Sequence, residues 1–224
     1  MKLTFLGHAG FVVDIGDQQV AIDPFLTGNP VATQRAEELS PAYILLTHAH
    51  GDHYGDTESI AKRTSATVIA SFEVVSYLGQ RGISGHAMNI GGSFTFPFGK
   101  VTYTPAWHSN SLPDGSYAGM PSGLVLAAEG KRLYHAGDTA LFGDMALIGK
   151  KALAVALLPI GDNYTMGPED ALEAVRLLRP QVVIPIHYNT FELIRQDAQA
   201  FKAAVETQTD SRVVVLKPGE HFTL

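Results

Sequence analysis

Three histidines and one aspartate fall within the six residues His48-Ala49-His50-Gly51-Asp52-His53, directly behind the apolar stretch Tyr43-Ile44-Leu45-Leu46. His48 and His50 alternate, so an extended turn would point both imidazoles to the same side. Gly51 allows the chain to bend sharply before the next two polar residues. Nitrogen and oxygen donors of this kind suit zinc, with manganese, iron and nickel as alternatives. The run predicts one compact loop that serves two metal ions.

Three further polar residues stand at the ends of predicted strands. They are His108 in Thr104-Pro105-Ala106-Trp107-His108, Asp138 in His135-Ala136-Gly137-Asp138, and His187 in Ile184-Pro185-Ile186-His187. Strand tips are rigid, and the loops that follow them are free to carry chemistry. Four strand ends that converge on one place would bring ligands together that are distant in the sequence.

The run and the three later residues, in this order, resemble the signature of the metallo-β-lactamase superfamily. The resemblance implies an α/β fold, a four-layer αββα sandwich of two mixed sheets flanked by helices, in a single domain over residues 1–224. It also implies that His48, His50 and His108 bind a first metal. Asp52, His53 and His187 would bind a second metal, and Asp138 would bridge the two ions.

Two further segments, Leu6-Gly7-His8-Ala9-Gly10 and Ile22-Asp23-Pro24-Phe25, indicate which branch of the superfamily the chain resembles. It is a small branch of metal-dependent hydrolases, the UPF0173-like branch, which is related to the L-ascorbate 6-phosphate lactonase type. His8 is then expected near the metals, with a buried structural histidine as the alternative. Asp23 either holds a ligand imidazole from behind or caps a turn. His135 either supports the site, shuttles protons or is structural.

The chemistry implied is hydrolysis by a metal-bridging hydroxide at a binuclear site, with Asp52 as ligand and orienter of that hydroxide. The substrate would be a small polar molecule with a lactone, ester, amide or phosphoester bond. Tyr164 and Asn189 are the predicted substrate-binding residues, and Trp107 is a further candidate for the pocket. The chain has no cysteine, which excludes a thiolate ligand or a cysteine nucleophile.

Three other functions fit the sequence less well than metal-dependent hydrolysis of a small molecule. A phosphodiesterase or nuclease on the same fold would need phosphate contacts, yet Lys and Arg total only 16 and the net charge is −6. Flavo-diiron redox proteins carry Glu where this chain has His50. A non-catalytic metal-dependent binding module would be expected to lose ligands. We therefore expect a small-molecule substrate and neither a nucleic-acid nor a membrane partner, and a homo-oligomer stays open.

Secondary-structure patterns alternate between short strands and helices. The predicted elements are a hairpin around Gly16-Asp17, strands at 43–47, 66–70, 101–104, 152–158 and 181–186, and helices at 58–64, 72–81, 168–179 and 190–205. The segment from Gly10 to Ala21 resembles that from Gly123 to Tyr134, and we attribute this to ordinary hairpin chemistry, although two similar halves would also produce it. No apolar run is long enough for a membrane span, so we expect a cytoplasmic location.

Overall fold

Fourteen strands and six helices form the fold, and the computed structural model describes residues 1–224. The strands are β1 (Lys2–Gly7), β2 (Gly10–Ile15), β3 (Gln18–Ile22), β4 (Tyr43–Leu45), β5 (Thr67–Ser71), β6 (Gly85–Met88), β7 (Ser93–Phe96), β8 (Gly99–Pro105), β9 (Ser122–Ala128), β10 (Lys131–His135), β11 (Val155–Pro159), β12 (Val182–Ile186), β13 (Arg212–Val213) and β14 (His221–Thr223). The helices are α1 (Gly51–Tyr54), α2 (Thr57–Thr64), α3 (Phe72–Gly79), α4 (Met145–Gly149), α5 (Pro168–Leu178) and α6 (Ala198–Gln208).

The strands form two mixed sheets of seven strands each. The first has the order β14-β1-β2-β3-β4-β5-β6, and the second has the order β13-β12-β11-β10-β9-β8-β7. Central strands such as β4 and β11 are apolar on both faces, because each sheet is covered on both sides. Alternate residues point inwards and outwards, so Leu45 faces the other sheet while Ile44 faces a helix.

Three hydrophobic clusters give the molecule its four layers. One cluster lies between the sheets and contains residues of both, for example Leu45 and Leu157. A second cluster packs α2 and α3 against the outer face of the first sheet, and a third packs α4, α5 and α6 against the second. The expected αββα sandwich of two mixed sheets is therefore confirmed.

The two sheets share one pairing pattern. Strands β1 to β6 pair in series as two antiparallel and three parallel neighbours, and strands β8 to β13 repeat this pattern. The similar hairpins are β2–β3, with its turn at Gly16-Asp17, and β9–β10, with its turn at Glu129-Gly130. Because they occupy equivalent positions, their likeness reflects two similar halves rather than hairpin chemistry alone.

The predicted helix at 190–205 is wrong in its first part. The chain makes only a 3₁₀ turn at Glu192–Ile194, and α6 begins at Ala198. The side chain of Asp197 accepts hydrogen bonds from the backbone N–H groups of Gln199 and Ala200, so it caps the helix at that point. The longest helices, α5 and α6, have 11 residues each, and no helix has the length and apolarity needed to cross a membrane.

Candidate metal centre

Polar loops follow four strand tips and meet at one end of the two sheets. The histidine-rich run follows β4 of the first sheet, while His108, Asp138 and His187 follow β8, β10 and β12 of the second. His50 precedes α1, and its carbonyl oxygen accepts hydrogen bonds from the backbone of His53 and Tyr54. The bend expected at Gly51 is therefore the first turn of a short helix, and it needs no conformation reserved for glycine.

The structure brings together His48, His50 and His108, the predicted ligands of the first metal, and these residues are named the first ligand group. One ring nitrogen from each lies within 4.8 Å of the others. The Nε2 atom of His48 is 3.1 Å from Nδ1 of His50, so the two imidazoles do point to the same side. The His108 ring arrives from the second sheet, with its centroid 5.1 Å from that of His50.

The second ligand group consists of Asp52, His53 and His187. Their ligand atoms, with a ring nitrogen of His8, also lie within 4.8 Å of one another. Asp52 Oδ2 is 3.7 Å from Nε2 of His187. This group again combines residues from both sheets, since His187 follows β12 of the second sheet.

The buried carboxylate of Asp138 lies between the two groups. Its Oδ1 is 3.1 Å from Nε2 of His53, and its Oδ2 is 3.0 Å from Nε2 of His187. The same Oδ2 is 3.6 Å from Nε2 of His108 and 3.9 Å from Nε2 of His48. One carboxylate is thus within reach of both groups, which is the position that the resemblance implies for a bridging ligand.

Several polar atoms at this place are buried without a hydrogen-bond partner. They are Nε2 of His53, Oδ1 of Asp138 and both ring nitrogens of His187. The Nε2 atoms lie 3.1 and 3.0 Å from the Asp138 carboxylate, but neither contact has the geometry of a hydrogen bond. Buried polar atoms are almost always satisfied, and a cation between these atoms would satisfy them. Imidazole nitrogens and carboxylate oxygens that converge at these distances fit divalent cations such as zinc.

Asp23 contacts the His53 ring through Nδ1, the nitrogen that does not face Asp138. Its Oδ2 accepts a hydrogen bond from Nδ1 of His53 at 2.8 Å, which leaves Nε2 of that ring facing Asp138. Thr47 donates to the same carboxylate from its backbone N–H at 2.8 Å and from its hydroxyl at 2.6 Å. The Thr47 hydroxyl also lies 3.0 Å from Nδ1 of His48 and accepts from it. Of the two roles considered for Asp23, the structure shows the contact with a ligand imidazole.

His8 holds Asp52. Its Nε2 is 3.0 Å from Oδ2 of Asp52, and its Nδ1 is 2.8 Å from the hydroxyl of Thr190. Burial lowers the pKa of His8 from 6.5 to about 4, so the ring is neutral and donates one proton to the carboxylate. Thr190 was missed by the sequence interpretation, and its position three residues beyond His187 was the only available signal.

His135 has a structural role. Its Nε2 donates to the carbonyl oxygen of Ala9 at 2.8 Å, and its Nδ1 accepts from the backbone N–H of Gly137 at 3.0 Å. The ring therefore ties the second sheet to the β1–β2 turn and fixes the turn that precedes Asp138. Neither ring nitrogen is free for a metal or for proton transfer.

Left-handed backbone conformations mark the strand tips of the site. His8, Asp23 and His187 have φ angles of 58°, 45° and 53°, and Gly137 has a φ of 63°. These residues follow β1, β3, β12 and β10, respectively. A non-glycine residue in this region costs about 1–2 kcal/mol, and such strain concentrates at functional sites. The strained turns redirect each chain so that its polar side chain faces the centre.

Burial controls the protonation of the first group. Burial and the neighbouring His53 hold the pKa of His48 well below its ordinary value. Burial also lowers the pKa of His50 and of His108. All three rings are therefore neutral near pH 7, which is the form that donates a lone pair to a metal.

The second group is protonated differently. Burial alone would lower the pKa of His187, but the Asp138 carboxylate outweighs burial and raises this pKa to about 9. Burial likewise opposes the charged form of His53, and Asp138 and Asp23 raise its pKa well above the usual range. In turn, His187 and His53 outweigh the effect of burial on Asp138 and hold the pKa of its carboxyl well below the ordinary value. These rings carry protons that a metal must displace.

Comparison with known proteins places the chain in a family. Residues 17–188 match the model of the family described as beta-lactamase superfamily domain. A UPF0173 metal-dependent hydrolase of Pelotomaculum thermopropionicum is 52% identical over 229 residues, covering 100% of both chains. The chain belongs to the UPF0173 metal-dependent hydrolases of the β-lactamase superfamily. A UPF0173 relative from Thermus thermophilus is 51% identical over 225 residues, covering 100% of this chain and 99% of the relative.

Two solved structures share the fold of this UPF0173 hydrolase. A metallo hydrolase from Ignicoccus hospitalis has a TM-score of 0.91 and 42% identity, covering 100% of this chain and 98% of that chain. A hydrolase described as metal-dependent, from Parabacteroides distasonis, has a TM-score of 0.77 at 24% identity and covers 96% and 92% of the two chains. The second likeness supports the fold alone.

The site of this UPF0173 hydrolase opens into a cavity of about 330 Å³. The lining residues are His50, Asp52, His108, Ser109, Asp138, Tyr164 and His187. Tyr164 is thus where a substrate-binding residue would be, whereas Asn189 is not part of the lining. The Asn189 amide instead accepts from the backbone N–H of Gln196 at 2.8 Å and donates to its carbonyl oxygen at 3.0 Å. Ser109 is a lining residue that the sequence interpretation missed.

Proposed function

We propose that this metal-dependent hydrolase works with two divalent ions, zinc foremost. His48, His50 and His108 would hold one ion, Asp52, His53 and His187 the other, and Asp138 would contact both. The observation that supports this most directly is the Asp138 carboxylate, which is buried and lies within 3.9 Å of ring nitrogens from both groups. The unpartnered atoms of His53 and His187 give independent support.

The metals would supply the activation of water and the polarisation of the substrate oxygen. Residues of the chain would orient the water, take up its proton and position the substrate. Asp52 is held through Oδ2 by His8, so its position is fixed while Oδ1 makes no hydrogen bond within the chain. We propose that Oδ1 orients the attacking water and takes up its proton. Tyr164 and Ser109, at the cavity wall, would position the substrate.

The substrate would be a small molecule with an ester, lactone, amide or phosphoester bond. The cavity of about 330 Å³ has the volume of a site for a compound of modest size. No Cys is present, and the cavity lining contains only Ser109 as a hydroxyl of the kind that serves as a protein nucleophile. Ser109 has no hydrogen bond to a base within the chain, so direct attack by water is the consistent chemistry.

Elemental analysis of protein purified without chelator tests the proposal. We expect about two metal ions per chain, and hydrolysis that is lost on metal removal and restored by dialysis against the metal. Asp138→Ala should abolish hydrolysis and reduce the metal content, because both groups lose a shared ligand. His86→Ala, at a histidine outside the cluster, serves as the control and should keep both.

Two results would contradict the proposal. Folded protein that binds no metal and hydrolyses none of a panel of lactones, esters, amides and phosphodiesters would indicate a binding role. Full metal content and full activity in the Asp138→Ala variant would show that the reaction takes place elsewhere.

A further inference from the structure

Three exposed aromatic residues belong to the loops that form the centre or adjoin it. Trp107, Tyr164 and Phe191 are 70%, 53% and 42% exposed, respectively. Aromatic rings of this size are normally at least partly buried, and a group of them around a polar cavity marks a surface that binds an apolar group. Each of the three comes from a different loop, so the group is not a by-product of one irregular segment.

The loops that carry Trp107 and Tyr164 are both hydrogen-bonded to Thr139, which directly follows Asp138. The hydroxyl of Thr139 accepts from the backbone N–H of Trp107 at 2.9 Å. The carbonyl oxygen of Thr139 accepts from the backbone N–H of Met166 at 3.0 Å, which anchors the loop that carries Tyr164. Thr139 is itself fully buried, so the backbones of these two loops have defined positions relative to the carboxylate between the ligand groups.

The third ring, Phe191, lies on the side of the second ligand group. Its centroid is 5.6 Å from the ring of His8, and the His8 ring is 4.1 Å from that of His187. An aromatic side chain therefore lies beside the second ligand group, and Trp107 directly precedes His108 of the first group in the chain. The Tyr164 ring is the one that directly lines the cavity.

Positive side chains are absent from the same region. The cavity lining contains neither Lys nor Arg. None of the segments 101–130, 133–149, 152–175 and 180–194, which hold the later ligands and the three aromatic residues, contains Lys or Arg either. The next positive residue along the chain, Arg195, pairs with Glu192 at 2.9 Å. Proteins that recognise phosphates or carboxylates away from the reacting bond use Arg or Lys for this purpose.

We propose that the substrate carries an uncharged apolar group, preferably aromatic, beside a carbonyl centre, and that Trp107 and Tyr164 select it. The inference rests on the proposed hydrolysis at the metal centre. Water would add its oxygen to the carbonyl carbon, the C–O or C–N bond would break, and the leaving group would depart with a proton from that water. A phosphorylated small molecule or a nucleic acid does not fit this site, because the lining has no Lys or Arg to pair with a phosphate that lies away from the reacting bond.

Fluorescence of Trp107 offers a direct binding test, because it is the only tryptophan of the chain. The metal-loaded protein would be titrated with phenylacetamide and with acetamide, which lacks the ring. We expect phenylacetamide to bind at least about tenfold more tightly than acetamide. Tyr164→Ala should weaken phenylacetamide binding by about tenfold, whereas Phe94→Ala, at an exposed aromatic residue on β7, should not. Equal binding of the two amides, or no effect of Tyr164→Ala, would overturn the inference.

Matched esters separate this inference from the proposed function. We expect kcat/KM to be at least about tenfold higher for 4-nitrophenyl butyrate than for 4-nitrophenyl hemisuccinate, whose acyl group ends in a carboxylate. Trp107→Ala and Tyr164→Ala should raise KM for the butyrate and reduce the preference. Faster cleavage of the charged ester would overturn only the substrate inference. Absence of metal-dependent hydrolysis with both esters would overturn the proposed function as well.

Discussion

At the scale of single residues, the two ligand groups differ in the protons that they hold. The rings of His48, His50 and His108 are neutral near pH 7, whereas His187 has a pKa raised to about 9 by Asp138. A metal that binds His187 must release its proton, but a metal that binds the first group releases none. The contrast arises because Asp138 is closer to His53 and His187 than to His48 and His108.

The affinity of the second group for metal should therefore depend on pH. Between about pH 6.5 and pH 9, each unit of pH decrease should weaken binding by at least about tenfold, since the proton on His187 competes with the ion. The first group should bind with almost constant affinity over this interval. Competition with a chelator at pH 6.5, 7.5 and 8.5, with two binding constants fitted, measures both. Two constants with the same pH dependence would contradict the prediction.

The resemblance to the superfamily signature implies which side chains meet at the centre, and the strand ends that precede most of them are consistent with it. The hydrogen bonds that position these side chains could be predicted only in part. The pairing of His8 with Thr190 depends on a left-handed turn at His8 and on a loop after β12, and neither has a periodic pattern. The position of Asn189, predicted to bind substrate, depends on the same loop, which its amide closes on Gln196.

At the scale of elements, the tip of β12 depends on a close approach from the end of β11. A Cβ atom at Gly161 would overlap the carbonyl oxygen of His187 and would lie 3.1 Å from Cβ of Ile194. The glycine thus lets the loop after β11 pass directly against His187, which is proposed as a metal ligand. Backbone atoms on both sides leave little room for a small adjustment.

Gly161→Ala should displace His187 and reduce occupancy of the second group while the first group stays loaded. We expect a loss of about 1–3 kcal/mol in the free energy of unfolding, as for other overpacked sites. Gly143→Ala is a matched control, because a Cβ there would meet nothing within 4 Å. Denaturant unfolding and metal analysis of both variants test the prediction. Equal behaviour of the two variants would show that the tip of β12 can move freely.

Most element boundaries could be predicted because periodic apolar residues and caps mark them, as Pro168 marks the start of α5. The last helix has the largest error, and the strand predicted at 152–158 also begins later, at Val155. For the helix, the prediction starts at Thr190 because it overlooks the cap at Asp197 and the 3₁₀ turn before it. Local hydrogen bonds between side chain and backbone decided this boundary, and such bonds compete with helix formation.

At the scale of the whole molecule, the centre joins two sheets that are otherwise held by apolar packing and a few hydrogen bonds. One of these involves the buried Tyr103, whose hydroxyl lies 2.9 Å from the carbonyl oxygens of Leu46 and Ile69 in the first sheet. Each ligand group contains residues from both sheets. A bound ion would therefore resist separation of the sheets.

Metal binding should accordingly stabilise the fold as a unit. At an ion concentration about 1,000 times the dissociation constant, binding to the folded state alone adds about 4 kcal/mol. For a chain of this size, the unfolding midpoint should rise by about 10 °C. Calorimetry with and without chelator measures the change, and His86→Ala should show the same change as the unmodified chain. A midpoint that is insensitive to chelator would indicate that the ions do not join the sheets.

The distribution of ligands between the halves also sets when the centre can be completed during synthesis. A nascent chain that extends through β11 already contains His48, His50, Asp52, His53, His108 and Asp138, but it lacks His187. Its second group stays incomplete until β12 has been made and has joined its sheet. Full metal loading is then expected only for chains that extend past His187, and it would distinguish them from products truncated before that residue.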